Sequence, residues 1–163
     1  MVILGIDPSL RSTGFAVIQG DNRRFSAMAY GVIKNKPTLL VSGCLAHIHE
    51  KLQQVMTEFK PDVCAIEGLI YAQNIKTSIT MGQARGVAIA AAALKGIPVY
   101  EYAPRLVKNS VVGYGGAGKG QVARMLGPLL GLTDEIPLDA SDAFAIALTH
   151  ANANPAIQLS KPI

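Results

Sequence analysis

Cysteine is scarce in this chain of 163 residues: only Cys44 and Cys64 occur, each inside an apolar periodic segment and without metal-ligand spacing. That argues against a disulfide framework and a thiolate metal site, and leaves two reduced core thiols in a cytoplasmic protein as the expectation. Long hydrophobic runs are missing too. The longest, Val87 to Leu94, has eight residues, most of them Ala, against about 20 needed to cross a bilayer. No basic segment stands ahead of a hydrophobic one at Met1, so no secretory signal is expected. Histidine is limited to His47, His49 and His150, and no Ser-His-Asp arrangement can be argued from their spacing. The first two fall on or near the polar side of a helical segment, where they are expected to be solvated. His150 closes the last helical segment, within reach of its terminal carbonyls.

Acidic residues are few, and their placement says more than the net charge of +4. Between Lys76 and Arg124 stand seven basic residues and one acid, Glu101. Four other acids, Asp7, Glu67, Asp139 and Asp142, fall at the ends of apolar segments. If bound cations neutralise those four, 15 basic side chains stand against seven acids, a net +8. An acidic pocket filled with cations inside a basic surface suits a polyanion that carries a reactive phosphate. A merely solvated basic face accounts for the charge equally well.

What is present is half apolar, enough for one well-filled core and short for two, so one domain over residues 1–154 with a short, frayed tail over 155–163 is expected. Met1 to Asp7 reads as a strand buried on both faces that ends in a carboxylate. Ser12 to Gln19 and Arg24 to Ile33 read as two more strands, with Gly20-Asp21-Asn22 as a hairpin signal between them. From Pro37 to Phe59 the apolar period lengthens to three and four, the mark of an amphipathic helix. Lys60-Pro61 ends it, and Asp62 to Glu67 forms the next strand, so the helix has the length of a crossover to a parallel neighbour. Thr77 or Ser78 can cap a second helix that runs to about Lys95. Val99 to Tyr102 is a short strand, Leu106 to Val112 a short helix with Pro104 at its start. Gln121 to Leu130 and Asp139 to Ala151 are two further helices. The order βββ-α-β-α-β-α-α-α describes an α/β fold with a mixed sheet.

Desolvating an ionised carboxylate is costly unless something cationic or hydrogen-bonding receives it. Asp7 and Glu67 close apolar strands, and the C-terminal ends of strands are where α/β sheets build their ligand sites. Asp139 and Asp142 are three apart, which puts both on one helical face. Taken alone, that pair is an N-cap plus a favourable charge in the first turn, and either strand-end acid alone merely marks a strand leaving the core. Together, four carboxylates suit two hard cations through oxygen ligands. Two Mg²⁺ about 3.5–4 Å apart can activate a water and stabilise a leaving oxygen in phosphodiester cleavage.

Gly113 to Lys119 formally matches the start of a phosphate-binding P-loop, but Gly120 stands where Ser or Thr would hold Mg²⁺, and helix rather than strand precedes it. Lys119 remains a cation on a Gly-rich loop that can reach a phosphate. After Glu67, the residues Leu69, Ile70 and Tyr71 either fold back on the core or present an apolar wedge that stacks on unpaired bases. The small residues of Ala84 to Ala93 permit close approach of another backbone.

These residues together resemble the RuvC family of bacterial Holliday-junction resolvases, over nearly the whole chain. The resemblance is carried by Gly5-Ile-Asp-Pro8 with Thr13-Gly14, by Ala65-Ile-Glu67, by Met81-Gly-Gln-Ala-Arg-Gly-Val87, and by Glu101-Tyr102 with Val107-Lys-Asn-Ser-Val-Val-Gly113. Lys119-Gly-Gln-Val122 and Asp139-Ala-Ser-Asp-Ala-Phe-Ala-Ile-Ala-Leu148 complete it. It implies an RNase H-like fold with a mixed five-stranded sheet flanked by helices. It implies that Asp7, Glu67, Asp139 and Asp142 match the family's metal-binding catalytic acids, and that Lys108 and Lys119 match two basic residues needed near the DNA. Two departures stand out. Ser9 occupies a position usually held by Gly, and Ile70 with Tyr71 stands where a junction-stacking Phe is common.

The activity implied is a Mg²⁺-dependent endonuclease, with Mn²⁺ as an alternative metal, that nicks two strands of like polarity in four-way junction DNA. A homodimer is implied, with the Ala-rich helix as one candidate contact, and so is a branch-migration motor complex of the RuvA and RuvB type as partner. Lys119 would offset charge on the phosphate, while Lys76, Arg85, Arg105 and Lys108 would supply salt-dependent phosphate contacts. Two rival readings are a junction-binding protein without nuclease activity and an ATP-binding relative of actin-like or sugar-kinase halves. A cleavage assay separates the first, and tight nucleotide binding would favour the second.

Overall fold

The computed structural model describes residues 1–21, 24–68, 74–112, 119–132, 136–153 and 161–163; for residues 112, 119, 120, 122 and 123 the description is of the backbone alone. Among the described residues five strands and five helices follow one another. They are β1 (Val2–Asp7), β2 (Ser12–Asp21), β3 (Arg24–Lys34), α1 (Val41–Phe59), β4 (Val63–Glu67), α2 (Ile75–Ala93), β5 (Val99–Tyr102), α3 (Pro104–Val112), α4 (Lys119–Leu130) and α5 (Leu138–Asn152). The strands form one sheet in the order β3-β2-β1-β4-β5. β1, β2 and β3 pair antiparallel, whereas β4 lies parallel to β1, and β5 parallel to β4.

Two cores follow from the alternation of the strands. Leu4, Ile6, Val17, Cys64 and Ile66 point to one face and pack against Ile48, Leu52 and Met56 of α1 and the alanines of α2. Ile3, Ala16, Ile18 and Ala65 point to the other and pack against α5, whose outer side is covered in turn by Val107 and Val111 of α3 and Leu126 and Leu130 of α4. The ten residues from Ala143 through Leu148, with Ala140, Ser141, Thr149 and His150, are all buried, so α5 is the central helix of a layered α-β-α-α arrangement. Both cysteines are free and buried, and burial pushes the Cys64 thiol up to about 12, so it stays protonated and unreactive. No helix, among the described residues, is long and apolar enough to cross a membrane.

Several element boundaries differ from those the sequence suggests. Gly20 and Asp21 belong to β2 rather than to the turn, paired with Phe25 and Arg24, while Asn22 lies outside the described residues. The first helix starts at Val41 rather than Pro37, since Leu40 is extended at its N-cap and no side chain caps it. It ends with Lys60 in the left-handed region (φ 46°), whose N–H reaches Met56 O, and Pro61 prevents any continuation. The second helix starts at Ile75, because Asn74 and not Thr77 or Ser78 is its cap: the Asn74 side chain accepts from the N–H groups of Lys76 and Thr77. α4 begins at Lys119, two residues before the expected Gln121. The tail is not frayed at its very end. Ile163 donates its N–H to Val99 O of β5 at 3.0 Å.

Candidate active site

β1 and β4 are parallel neighbours, with Ile3 opposite Val63 and Ile6 opposite Ile66. The constant offset of sixty brings Asp7 level with Glu67 at the carboxyl edge of the sheet, on strands about 4.8 Å apart. Ile3, Val63 and Ala65 face the α5 side, so a period of two sends Asp7 and Glu67 to that side as well. On its other flank Asp7 pairs with Gly14 of β2.

Glycine decides how close α5 comes. A Cβ on Gly5 would lie 2.1 Å from Ala143 O, and one on Gly14 would lie 1.9 Å from Asp139 O. Helix backbone therefore rests directly on strand backbone, which sets the first turn of α5 beside the end of β1. Asp139 lies in that first turn, where the helix dipole favours a carboxylate by about 0.3–1 kcal/mol; Asp142 follows at the start of the next turn, and both are half-buried. Asp139 is not the N-cap, as its spacing suggested. Pro137 holds that position without a side-chain cap, and the Asp139 carboxylate instead accepts a hydrogen bond from the Ser12 hydroxyl.

Asp7, Glu67, Asp139 and Asp142 line one cleft of about 560 Å³, together with Lys108 of α3 and Ser12. Four acids and one lysine give those lining residues a formal charge of −3. Two like charges about 6 Å apart repel by about 3 kcal/mol at an effective dielectric of 20, so such a cleft gains much from cations. The donor set is entirely carboxylate oxygen, the chemistry of Mg²⁺ and Mn²⁺ rather than of zinc. Among the described residues no three His, Cys, Asp or Glu side chains form a ready-made ligand group. The acids line the walls of an open cleft, and the donor chemistry fits hard divalent ions.

The basic residues differ in their placement. Lys108 is half-buried in the cleft wall, and Arg105 is exposed one turn earlier on α3. Lys76 is exposed in the first turn of α2. Arg85, expected as a phosphate contact, is ion-paired with Glu101 of β5, and its side chain is 15% exposed. Burial also lowers the pKa of its guanidinium. Lys119 is the first residue of α4; its side chain, like all of Ile70 and Tyr71, lies outside the described residues.

The histidines are corrected as well. His47 is half-buried, with Nδ1 2.7 Å from Asn35 Oδ1, and His49 is half-buried too. Asn35 in turn donates to Leu10 O and Cys44 O, so this network ties α1 to the loop after Asp7. His150 is buried against Tyr102, Nδ1 to hydroxyl 2.7 Å, rather than turned to the helix terminus. Ser12 and Thr77 line the cleft without any site signal in their local sequence, since only the folding of β2 and α2 brings them there; Met81, which opens one of the resemblance motifs, lines it too.

A mixed 3-2-1-4-5 sheet, with acids at the ends of β1 and β4 and on the helix laid across them, defines an RNase H-like fold with a carboxylate-lined cleft. A family profile described as "Crossover junction endodeoxyribonuclease RuvC" matches residues 3–150. Crossover junction endodeoxyribonuclease RuvC of Akkermansia muciniphila is 46% identical over 150 residues, covering 92% of this chain and 90% of that protein. The protein of the same name from Brevibacillus brevis is 42% identical and covers 100% of this chain and 99% of its own length. Among solved structures, T. thermophilus RuvC in complex with Holliday junction substrate superimposes with a TM-score of 0.91 at 32% identity, covering 100% of this chain and 99% of that one. The chain belongs to the RuvC family.

Proposed function

We infer that this protein is a divalent-metal-dependent endonuclease that resolves four-way DNA junctions by paired nicks, in recombination and repair. The observation that carries this is the meeting of four carboxylates from β1, β4 and α5 in one cleft beside Lys108, in a chain whose relatives are crossover junction endodeoxyribonucleases. Asp7, Glu67, Asp139 and Asp142 would hold two Mg²⁺, for which Mn²⁺ can substitute. When bound, such ions polarise a phosphate and lower the pKa of water. Lys108 stands where it can draw the phosphodiester into an otherwise negative cleft, and Lys119 is assigned to offset charge gathering on the phosphate. Lys76 and Arg105, both exposed, would contact flanking phosphates and make binding depend on salt. Arg85, ion-paired with Glu101, is also assigned a phosphate contact, and Ile70 with Tyr71 is assigned to the unstacked bases at the junction centre.

Two cuts related by symmetry are delivered most simply by a homodimer with two identical sites. Its contact is assigned to α2, whose buried alanines pack inward while Ile75 and Ile79 stay 78% and 58% exposed. A branch-migration motor complex in the cytoplasm completes the reading. The test is a gel comparing a mobile four-way junction with plain duplex in Mg²⁺. The junction is cut and the duplex is not; Asp7→Asn still binds the junction but cleaves it about 100-fold more slowly or worse, on the scale of losing one preorganised electrostatic group. Full cleavage by Asp7→Asn would remove Asp7 from the mechanism.

A further inference from the structure

The three residues that open β2 each bear on Asp139 or Asp7. Gly14 lies under the Asp139 carbonyl and pairs with Asp7. Thr13, fully buried, exchanges hydrogen bonds with Ser9: its hydroxyl donates to Ser9 O at 2.6 Å, and Ser9 N–H donates to its oxygen at 3.2 Å. That pair closes the turn immediately after Asp7. Ser12 is half-buried, lines the acidic cleft, and donates its hydroxyl to Asp139 Oδ2.

The geometry points to Ser12 as the positioning residue that orients the Asp139 carboxylate toward a bound divalent ion. This rests on the reading of Asp139 as a metal ligand. The direction of the bond is forced, because an ionised carboxylate only accepts, so the hydroxyl must donate. Gly14 fixes where the Asp139 backbone sits, and a side chain with two torsions is then set by holding one of its oxygens. Oδ1 has no hydrogen-bond partner among the described residues, which leaves it to serve as the ligand atom. A carboxylate so held gives up little rotational freedom when an ion binds, and such outer partners typically contribute about 10–100-fold in metal affinity. Capping of α5 is an insufficient account of the bond, since the helix already begins at Leu138 behind Pro137 and its first turn is anchored on Gly14.

The test titrates the DNA-free protein with Mn²⁺ alone, following free Mn²⁺ by electron paramagnetic resonance, for wild type, Ser12→Ala, Ser12→Thr and Asp139→Asn. Ser12→Ala is expected to bind Mn²⁺ about 10-fold more weakly at an unchanged melting temperature, and Ser12→Thr, which keeps the hydroxyl, to stay within about two-fold of wild type. If Asp139→Asn weakens Mn²⁺ binding and Ser12→Ala does not, the role of Ser12 is overturned while that of Asp139 stands. If Asp139→Asn leaves the titration unchanged, Asp139 is no ligand and both readings fall. Failure of Ser12→Thr to restore binding in a folded protein also overturns the proposal, since the lost property would then be size rather than the hydroxyl.

Discussion

The two faces of the sheet are held by opposite means. On the α1–α2 face, branched and long side chains interlock: Leu4, Ile6, Val17 and Ile66 from the strands meet Ile48, Leu52 and Met56 from α1. Burying each of these contributes on the order of 1.5–3 kcal/mol, and the helix stands off by the thickness of two side-chain layers. On the α5 face the strands offer Gly5, Gly14 and Ala65, the helix answers with Ala140, Ala143 and Ala147, and backbone nearly touches backbone. Volume stabilises the first face and proximity defines the second. The carboxylates lie on the second, and β1 shows why. Ile6 and Asp7 are adjacent in sequence, yet one is core and the other lines the cleft, because successive residues point to opposite faces.

That contrast is broken most severely by adding an atom where contact is closest. Gly14→Ala places a Cβ 1.9 Å from Asp139 O, and both neighbours are backbone, so α5 must shift. Overpacking costs about 1–3 kcal/mol, and a displacement of about 1 Å at a reacting centre costs on the order of 100-fold in rate. Junction cleavage per folded molecule is therefore expected to fall about 100-fold, measured as single-turnover rate beside a urea midpoint. The reverse pattern belongs to the other face. Leu52→Ala, at a fully buried position, is expected to lower stability by about 2–5 kcal/mol and leave the single-turnover rate of the folded fraction within about two-fold. Were Leu52→Ala to slow cleavage as much as Gly14→Ala, the division between a structural and a site face would be wrong.

The same division explains what could be read from the residues alone. Asp7 and Glu67 were legible because an acid ending an apolar strand is a local anomaly, and Asp139 with Asp142 because a spacing of three is a local pattern. Their placement in one cleft follows from the parallel pairing of β1 with β4 and from α5 resting on Gly5 and Gly14; the length of α1 suggested a crossover to a parallel strand but not which strand would be the neighbour. What was not legible depends on partners distant in sequence. Arg85 reads as a free cation until Glu101 of β5 is folded against it, and His47 reads as solvated until Asn35, at the end of the hairpin, reaches it. Ser12 reads as an ordinary strand residue, because its partner lies 127 residues away. The start of α2 was misplaced for a smaller reason. Asn74, Thr77 and Ser78 are all good caps, and sequence alone does not rank which side chain finds free N–H groups.

Polarity separates the two faces further, and pH is the way to sharpen the difference. The α5 face carries a buried neutral pair at its far end, where Tyr102 hydroxyl meets His150 Nδ1 and Tyr100 packs on the imidazole with ring centres 4.8 Å apart. Burial lowers the His150 pKa below its ordinary value of 6.5, and burial, with Tyr100 adding to it, pushes Tyr102 up to about 12. Below pH 6.5 the unfolded chain gains a proton on this histidine that the folded chain resists, so the unfolded state binds more protons and stability falls as pH drops. At the alkaline end the sign reverses. The unfolded tyrosine loses its proton from about pH 10, the folded one keeps it, and stability declines as pH rises toward 12. Urea midpoints across pH 5 to 8 should therefore show an acid limb below pH 6.5 that is flattened in His150→Gln. Cys64 of the α1–α2 face, which burial holds protonated, does not titrate in that range, so an acid limb undiminished in His150→Gln would place the pH-sensitive burden elsewhere than on the far end of α5.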